Sequence, residues 1–409
     1  MKTNKIYEKD SFTKEYQTSV ISCVKSNRKG YENLYEVITN STIFSPEGGG
    51  QKCDRGTFDD IKVVDVQELD GEIIHFLESP VEEKKEIVQR IDFELRFRRM
   101  QNHNAEHLIC GLIHKKFGYE NVGFHLSETY DDEDNLVGIE AIMDVDGPID
   151  AKDLKTIEAE ANRAISENVD VFSAFPSAEE AKNIPYRSKM EIEENLRLVV
   201  IDGYDICACC APCLKSSAQM QLVKIIDYMP HRGGMRLTLK AGLDAVNDYV
   251  ALHDDNKGAM KVLSCVRGEC SDAVKKLSDK LTEAHEETVR VKKQITLLLV
   301  DELNRNMQTN DSKYILYFTN DLDEVQVRVL INETVANNSK ALIVFFEESE
   351  NGYRFVAGKN EKLSDVSLKE LAAKMRESLN ARGGGSEQMI QGSVPAAKES
   401  INNFFNTLN

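Results

Sequence analysis

Two histidines four residues apart, His103 and His107 in "HNAEH", are the first side chains whose chemistry can be named from type and spacing. On a helix that spacing puts both imidazoles on one face, where they can share a metal ion. Far downstream, "CACCAPC" crowds Cys207, Cys209, Cys210 and Cys213 into seven positions directly after an apolar, strand-like run. Two histidines and two thiolates make a familiar tetrahedral zinc set. Cys209 with Cys213 would close such a site across the fold, and other pairs are available, including the C-x-x-C of Cys210 and Cys213. Cys110 and His114 continue the histidine face, where core packing accounts for them.

Glu106 completes an H-x-x-E-H pattern, which in one class of zinc peptidases supplies two ligands and a general base. Such a peptidase needs a carboxylate as third ligand and an open position for water. Four histidine and cysteine ligands would close the site, so the peptidase is the runner-up among enzyme readings. A third feature is "FSPEGGGQKCDRGTF", Phe44 to Phe58. Gly48, Gly49 and Gly50 together lose more backbone entropy on ordering than any other tripeptide, which suits a place where side chains would intrude. Gln51, Asp54 and Arg55 follow, and exposed N–H groups of such a loop can cradle an acceptor. The plainer alternative is a glycine-rich connection between strands.

These residues need a framework to position them. The chain has 409 residues, enough for two or three domains. Its start, "MKTNKIYEKDSFTKEY", is charged throughout, and no segment approaches the ~20 apolar residues of a membrane span. The expectation is a cytoplasmic protein with no membrane partner. Nine cysteines in a reducing compartment favour a metal over disulfides. A net charge of −18 argues against indiscriminate nucleic-acid binding and leaves room only for a local basic patch.

The expected fold class is α+β. Short, partly alternating runs over 1–90 predict a small β-barrel-like domain carrying the glycine loop. Residues 91–255 predict a zinc-binding domain in which "RIDFELRFRRMQNHNAEHLICGLIHKKFG" is helical and stops at Gly118, and Asp150 caps a second helix. Over 256–311, Val262, Val266, Ala273, Leu277 and Leu281 recur at helical spacing, predicting a long amphipathic linker, a helical hairpin or a dimer seam. Residues 312–409 alternate strand and helix patterns, as a small α/β domain does.

Three segments in order, "FSPEGGGQKCDRGTF", "RMQNHNAEHLICGLI" and "CACCAPCLKSSAQMQLVKI", resemble the editing region of alanyl-tRNA synthetases and the free-standing alanyl-tRNA editing proteins of the AlaX group. The terminal "GGGSEQMIQGSVP" resembles the glycine-rich C-terminal domain that these synthetases share with DHH-type phosphoesterases. The likeness covers nearly the whole chain, and with no aminoacylation domain before the first segment it points to the long free-standing form. It implies hydrolysis, in trans, of serine or glycine wrongly esterified to alanine tRNA, with tRNA and not DNA as partner and a homodimer through the linker or C-terminal domain. A synthetase pocket rejects an added hydroxyl poorly, which is why a second, hydrolytic sieve is useful.

The resemblance further implies one zinc held by His103, His107, Cys209 and position 213, with Gly48 to Gln51 beside the scissile ester and Glu106 orienting or deprotonating the water. Arg98 and Arg99 would meet acceptor-end phosphates, and the terminal glycines would offer N–H groups to RNA. Two departures stand out. Cys213 occupies a place where the family usually has histidine, and "SSAQM", Ser216 to Met220, replaces a Thr-Gly-Glu-Ile stretch. A second thiolate would cancel the remaining formal charge of the ion and lower its Lewis acidity. These departures also permit a zinc-stabilised tRNA-binding module without hydrolysis.

Overall fold

The alternating apolar residues of the N-terminal runs wind into a barrel. In a computed structural model describing residues 3–188, 196–336 and 338–408, six strands close on themselves. They are β1 (Glu15–Lys25), β2 (Tyr35–Thr39), β3 (Gly56–Phe58), β4 (Ile61–Leu69), β5 (Glu72–Leu77) and β6 (Glu86–Ile91). Their order is β1-β2-β5-β4-β3-β6, with β6 pairing back onto β1. Inward residues such as Val37, Phe58, Val66, Ile73 and Ile87 fill the interior.

Asp92 then starts α1 (Phe93–Phe117), its side chain accepting the Leu95 N–H, and Gly118 ends it with a φ of 72°. Downstream come β7 (Asn121–Tyr130), β8 (Leu136–Val145), α2 (Ala151–Glu167), β9 (Val171–Ala174), β10 (Leu198–Ile201), β11 (Asp205–Ala208), β12 (Val223–His231) and β13 (Gly234–Ala241). Strands β12-β13-β8-β7 form one antiparallel sheet and β9-β10-β11 another. α1 runs between them, against β8, β13, β11 and α2.

That central position explains an unusual helix. Most of α1 is buried although it is rich in polar residues, because many of its polar groups find partners on other segments. Asn102 accepts the Ala241 N–H, Asn104 accepts the Leu214 N–H, and Gln101 donates to the Gln219 carbonyl. Arg98 and Arg99 follow the same rule, which corrects the expectation that they face phosphates. Arg98 pairs with Asp244, and Arg99 lies 2.7 Å from Glu128, both arginines buried.

The chain divides into two compact units, 1–258 and 259–409. The stretch expected to form a long amphipathic linker or helical hairpin, 256–311, is covered by two helices, α3 (Leu243–Leu263) and a longer α4 (Cys270–Thr309). They are separated at 264–269, where Ser264 and Gly268 take φ of 52° and 90°, outside helical space. The second unit then builds β14 (Tyr314–Phe318), α5 (Glu324–Val335), β15 (Ala341–Ser349), β16 (Gly352–Gly358), α6 (Leu368–Leu379), β17 (Arg382–Gly385), β18 (Met389–Val394) and α7 (Lys398–Asn406). Its sheet, ordered β14-β15-β16-β18-β17, is mixed, with only β14 and β15 parallel. Ala341, Ile343 and Phe345 face α6 and α7, while Leu342, Val344 and Phe346 face α4 and α5. A strand buried on both faces reads as a continuous apolar run, as "ALIVFF" does. Among the described residues no helix is long and apolar enough to cross a membrane.

Candidate functional site

The site forms where the glycine turn, α1 and the end of β11 meet. Gly48 and Gln51 exchange both backbone hydrogen bonds, at 3.0 and 3.1 Å, closing a two-residue turn. Gly49 and Gly50 occupy its centre with φ of 59° and 81°, a conformation that glycine adopts without strain. Gly50 is further confined by β7: its carbonyl accepts the Leu126 N–H, and a Cβ on it would lie 2.4 Å from the Phe124 carbonyl oxygen. The turn delivers Gln51, buried, to α1, where its Oε1 lies 3.1 Å from His103 Nδ1.

His103 and His107 stand one turn apart on α1, their rings 5.0 Å apart and nearly parallel. The other nitrogen of His103, Nε2, is 3.6 Å from Cys209 Sγ. Donor atoms of His103, His107 and Cys209 lie within 4.8 Å of one another. A second group, His107 with Asp205 and Cys207, meets the same limit. The donor chemistry fits zinc: two imidazoles and a thiol on opposed, rigid elements. Burial pushes the Cys209 thiol up from its ordinary range, and a cation beside it would reverse that by favouring the thiolate.

The remaining carboxylates are held from behind. Glu106 is buried and takes bonds from Asn121 Nδ2 and Cys110 Sγ on one oxygen, while the other lies 3.6 Å from His107 Nδ1. Asp205 lies 3.7 Å from that same nitrogen and is gripped by Arg187 through two 2.8 Å bonds. The approach of β11 to α1 depends on Gly111, where a Cβ would come 2.6 Å from the Tyr204 carbonyl oxygen and 2.7 Å from Asp205 Cβ.

All this borders a cleft of about 1390 Å³ lined by Gly49, His103, Glu106, His107, Cys207 and Cys209, with Lys5, Lys9 and Lys182 farther along its wall. It exceeds the roughly 300–1,000 Å³ of an ordinary small-molecule pocket. Cys213, expected as fourth ligand, does not join either donor group. Its sulfur is 3.4 Å from Ser173 Oγ and 3.8 Å from Arg197 Nη2. Arg197 causes this by holding the carbonyls of Cys209 and Ala211 at 2.8 Å each, so the chain turns before residue 213.

Comparison with known proteins bears on what uses this cleft. No protein-family profile matches the chain. The alanyl-tRNA editing protein Aarsd1 of Mus musculus is 23% identical over 398 residues, spanning 94% of this chain and 92% of its own length. The alanyl-tRNA editing protein AlaX-L of Pyrococcus horikoshii is 24% identical over 415 residues, spanning 97% and 96%. The chain is related to the alanyl-tRNA editing proteins. An alanine–tRNA ligase of Methanococcus vannielii is also similar, 25% identical across 98% of this chain but only 43% of the ligase. A crystal structure of the C-Ala domain of Aquifex aeolicus alanyl-tRNA synthetase aligns with 24% of the chain at 21% identity, with a TM-score of 0.21, too low to establish a shared fold.

Within this relative of the editing proteins, the structure brings Gln51, His103, Glu106, His107 and Cys209 together and puts Gly49 on the cleft wall. Sequence reading missed Asn121, which holds Glu106, Asp205, which flanks His107, and Arg187, which grips Asp205. A signal existed for Asp205: it alternates with Cys207 along β11, with Cys209 just past its end, and alternate strand residues share a face. Arg187 carried no signal, since its role depends on a contact with a strand still ahead of it in the chain.

Proposed function

We propose that the chain cleaves the aminoacyl ester of alanine tRNA mischarged with serine or glycine, acting in trans in the cytoplasm. The supporting observation is the convergence of three distant segments: Gln51 of the glycine turn reaches His103 at 3.1 Å, and His103 reaches Cys209 at 3.6 Å. Relatives named for alanyl-tRNA editing, aligned along nearly the whole chain, supply the substrate class. One zinc per chain would be held by His103, His107 and Cys209, and when bound it supplies a positive charge that polarises an oxygen of substrate or water.

The chain's own groups do the rest. Glu106, fixed by Asn121 and Cys110 on the cleft wall, accepts the proton of the attacking water. Gly49 carries no side chain where the aminoacyl group would enter, and Lys9 and Lys182 would offer charge to the RNA backbone, while Lys5 is paired with Glu68 and Glu8. In the second unit, the strand pair formed by Arg382–Gly385 and Met389–Val394 would present backbone to RNA. α4 exposes Val274, Leu277 and Leu281 at heptad spacing, a stripe that a second copy would cover in a homodimer.

The peptidase reading loses ground on one contact. Its third ligand would be a carboxylate, and the carboxylate beside His107, Asp205, has both oxygens bonded to Arg187. Deacylation of Ser-, Gly- and Ala-tRNA measured side by side tests the proposal. Ser- or Gly-tRNA should be hydrolysed faster than Ala-tRNA, and Glu106→Gln should slow the reaction about 10²-fold or more without releasing the metal. An ester protected by the bound protein would identify a tRNA-binding module instead.

A further inference from the structure

We propose that Cys265 and Cys270 form a reversible disulfide that locks the break between α3 and α4. The joint that carries them lies within the second unit and takes no part in the cleft.

The backbone brings the two thiols together. The Cys265 N–H donates to the Met260 carbonyl at 3.1 Å, a wide turn that ends α3, with Ser264 at a φ of 52°. The Glu269 N–H then donates to the Val266 carbonyl at 3.1 Å, with Gly268 at a φ of 90°, and the Ala273 N–H donates to the Glu269 carbonyl at 2.9 Å as α4 begins. These turns fold the chain back so that the side chains of Cys265 and Cys270 share a hydrogen bond. Both cysteines are half-buried, within reach of a small reagent.

An uninterrupted helix would part them. Each residue advances a helix by about 100°, so side chains five positions apart point about 140° away from each other. The sequence nevertheless supports such a helix: Val262, Val266, Ala273, Leu277 and Leu281 keep helical spacing through the joint, with Cys270 on the same stripe. The bridge fits only the broken form, and oxidation therefore shifts the joint toward it.

The oxidant is a low-molecular-weight disulfide of the glutathione class. One cysteine attacks it as the thiolate and forms a mixed disulfide, releasing one thiol; the other cysteine then displaces the second. The two cysteine sulfurs together lose two electrons, and the reagent gains them and both protons as two thiols. Excess thiol drives the reaction back, which keeps the pair reduced in a reducing compartment.

The test equilibrates the full chain with glutathione and glutathione disulfide, then alkylates it and digests it with trypsin. Cleavage after Lys261, Arg267 and Lys275 puts the cysteines on separate peptides, 262–267 and 268–275, so the bridge is read by mass spectrometry as a linked pair. The linked pair should dominate in the oxidised wild type and vanish under excess reduced glutathione. Gly268→Ala, which disfavours the positive φ and favours helix, should lower the equilibrium constant for bridging about fivefold while both cysteines remain. Separate glutathione adducts on the two cysteines of the wild type, or no oxidation of either, would overturn the bridge. Equal bridging in wild type and Gly268→Ala would overturn its coupling to the joint.

Discussion

Gln51 shows how one side chain can serve a site by fixing another. The amide oxygen accepts from His103 Nδ1, so that nitrogen carries the proton and the Nε2 lone pair is left toward Cys209, 3.6 Å away. Outer partners of this kind typically govern metal affinity as well as ring orientation. Gln51→Ala should therefore weaken zinc binding by about 10–100-fold and slow deacylation with it. Gln51→Glu, which keeps the acceptor, should retain the metal. Titration of zinc against a competing chelator reads the difference, and unchanged affinity in Gln51→Ala would confine this residue to a passive contact.

Between elements, the decisive joints are charged and buried. The glycine-turn segment is locked to α1 by Asp54, which pairs with Arg96, while Arg96 also donates to the carbonyls of Ile43 and Ser11. Both side chains are essentially inaccessible to water. Removing one partner of such a pair strands an uncompensated charge, at about 3–5 kcal/mol. Asp54→Ala should accordingly show a large drop in Tm and displace the turn from the cleft. The double replacement Asp54→Leu with Arg96→Met should recover much of the stability, because the stranded charge is gone. Equal losses in single and double variants, by thermal or urea unfolding, would contradict this account.

The molecule as a whole combines a site-bearing unit with a second unit that contributes none of the cleft residues. On the proposed function, a chain ending at residue 258 should bind zinc and deacylate a short aminoacylated RNA end as the full chain does, but bind complete tRNA more weakly in gel-shift titration. Equal affinity would mean that the second unit has another purpose. Acid sensitivity belongs to the same scale because unfolding is global. His75, buried in the barrel against Thr42 and the Val37 carbonyl, is pushed down by burial to about 4. The unfolded chain takes up this proton near pH 6.5 and the folded chain only near pH 4, so stability falls as pH drops through that window. The loss is on the order of 3 kcal/mol. His75→Gln should flatten that part of the stability–pH curve in chemical denaturation, and an unchanged slope would assign it to other groups.

Local spacing was enough to read α1 and its glycine stop, the Asp150-capped helix, the strand pattern of the first 90 residues and the histidine pair, because each depends on neighbours within a few turns. The resemblance of three motifs to editing proteins was legible for the same reason: short segments carry it in order. What spacing could not resolve was which of four crowded thiols faces the histidines. That depends on Arg197 gathering the carbonyls of Cys209 and Ala211, and on Gly111 letting β11 approach α1. Nor could composition show that Arg98 and Arg99 are internal, since their counter-charges, Asp244 and Glu128, come from remote segments. Charge on a sequence reads as surface; only folding brings an opposite charge close enough to repay its desolvation.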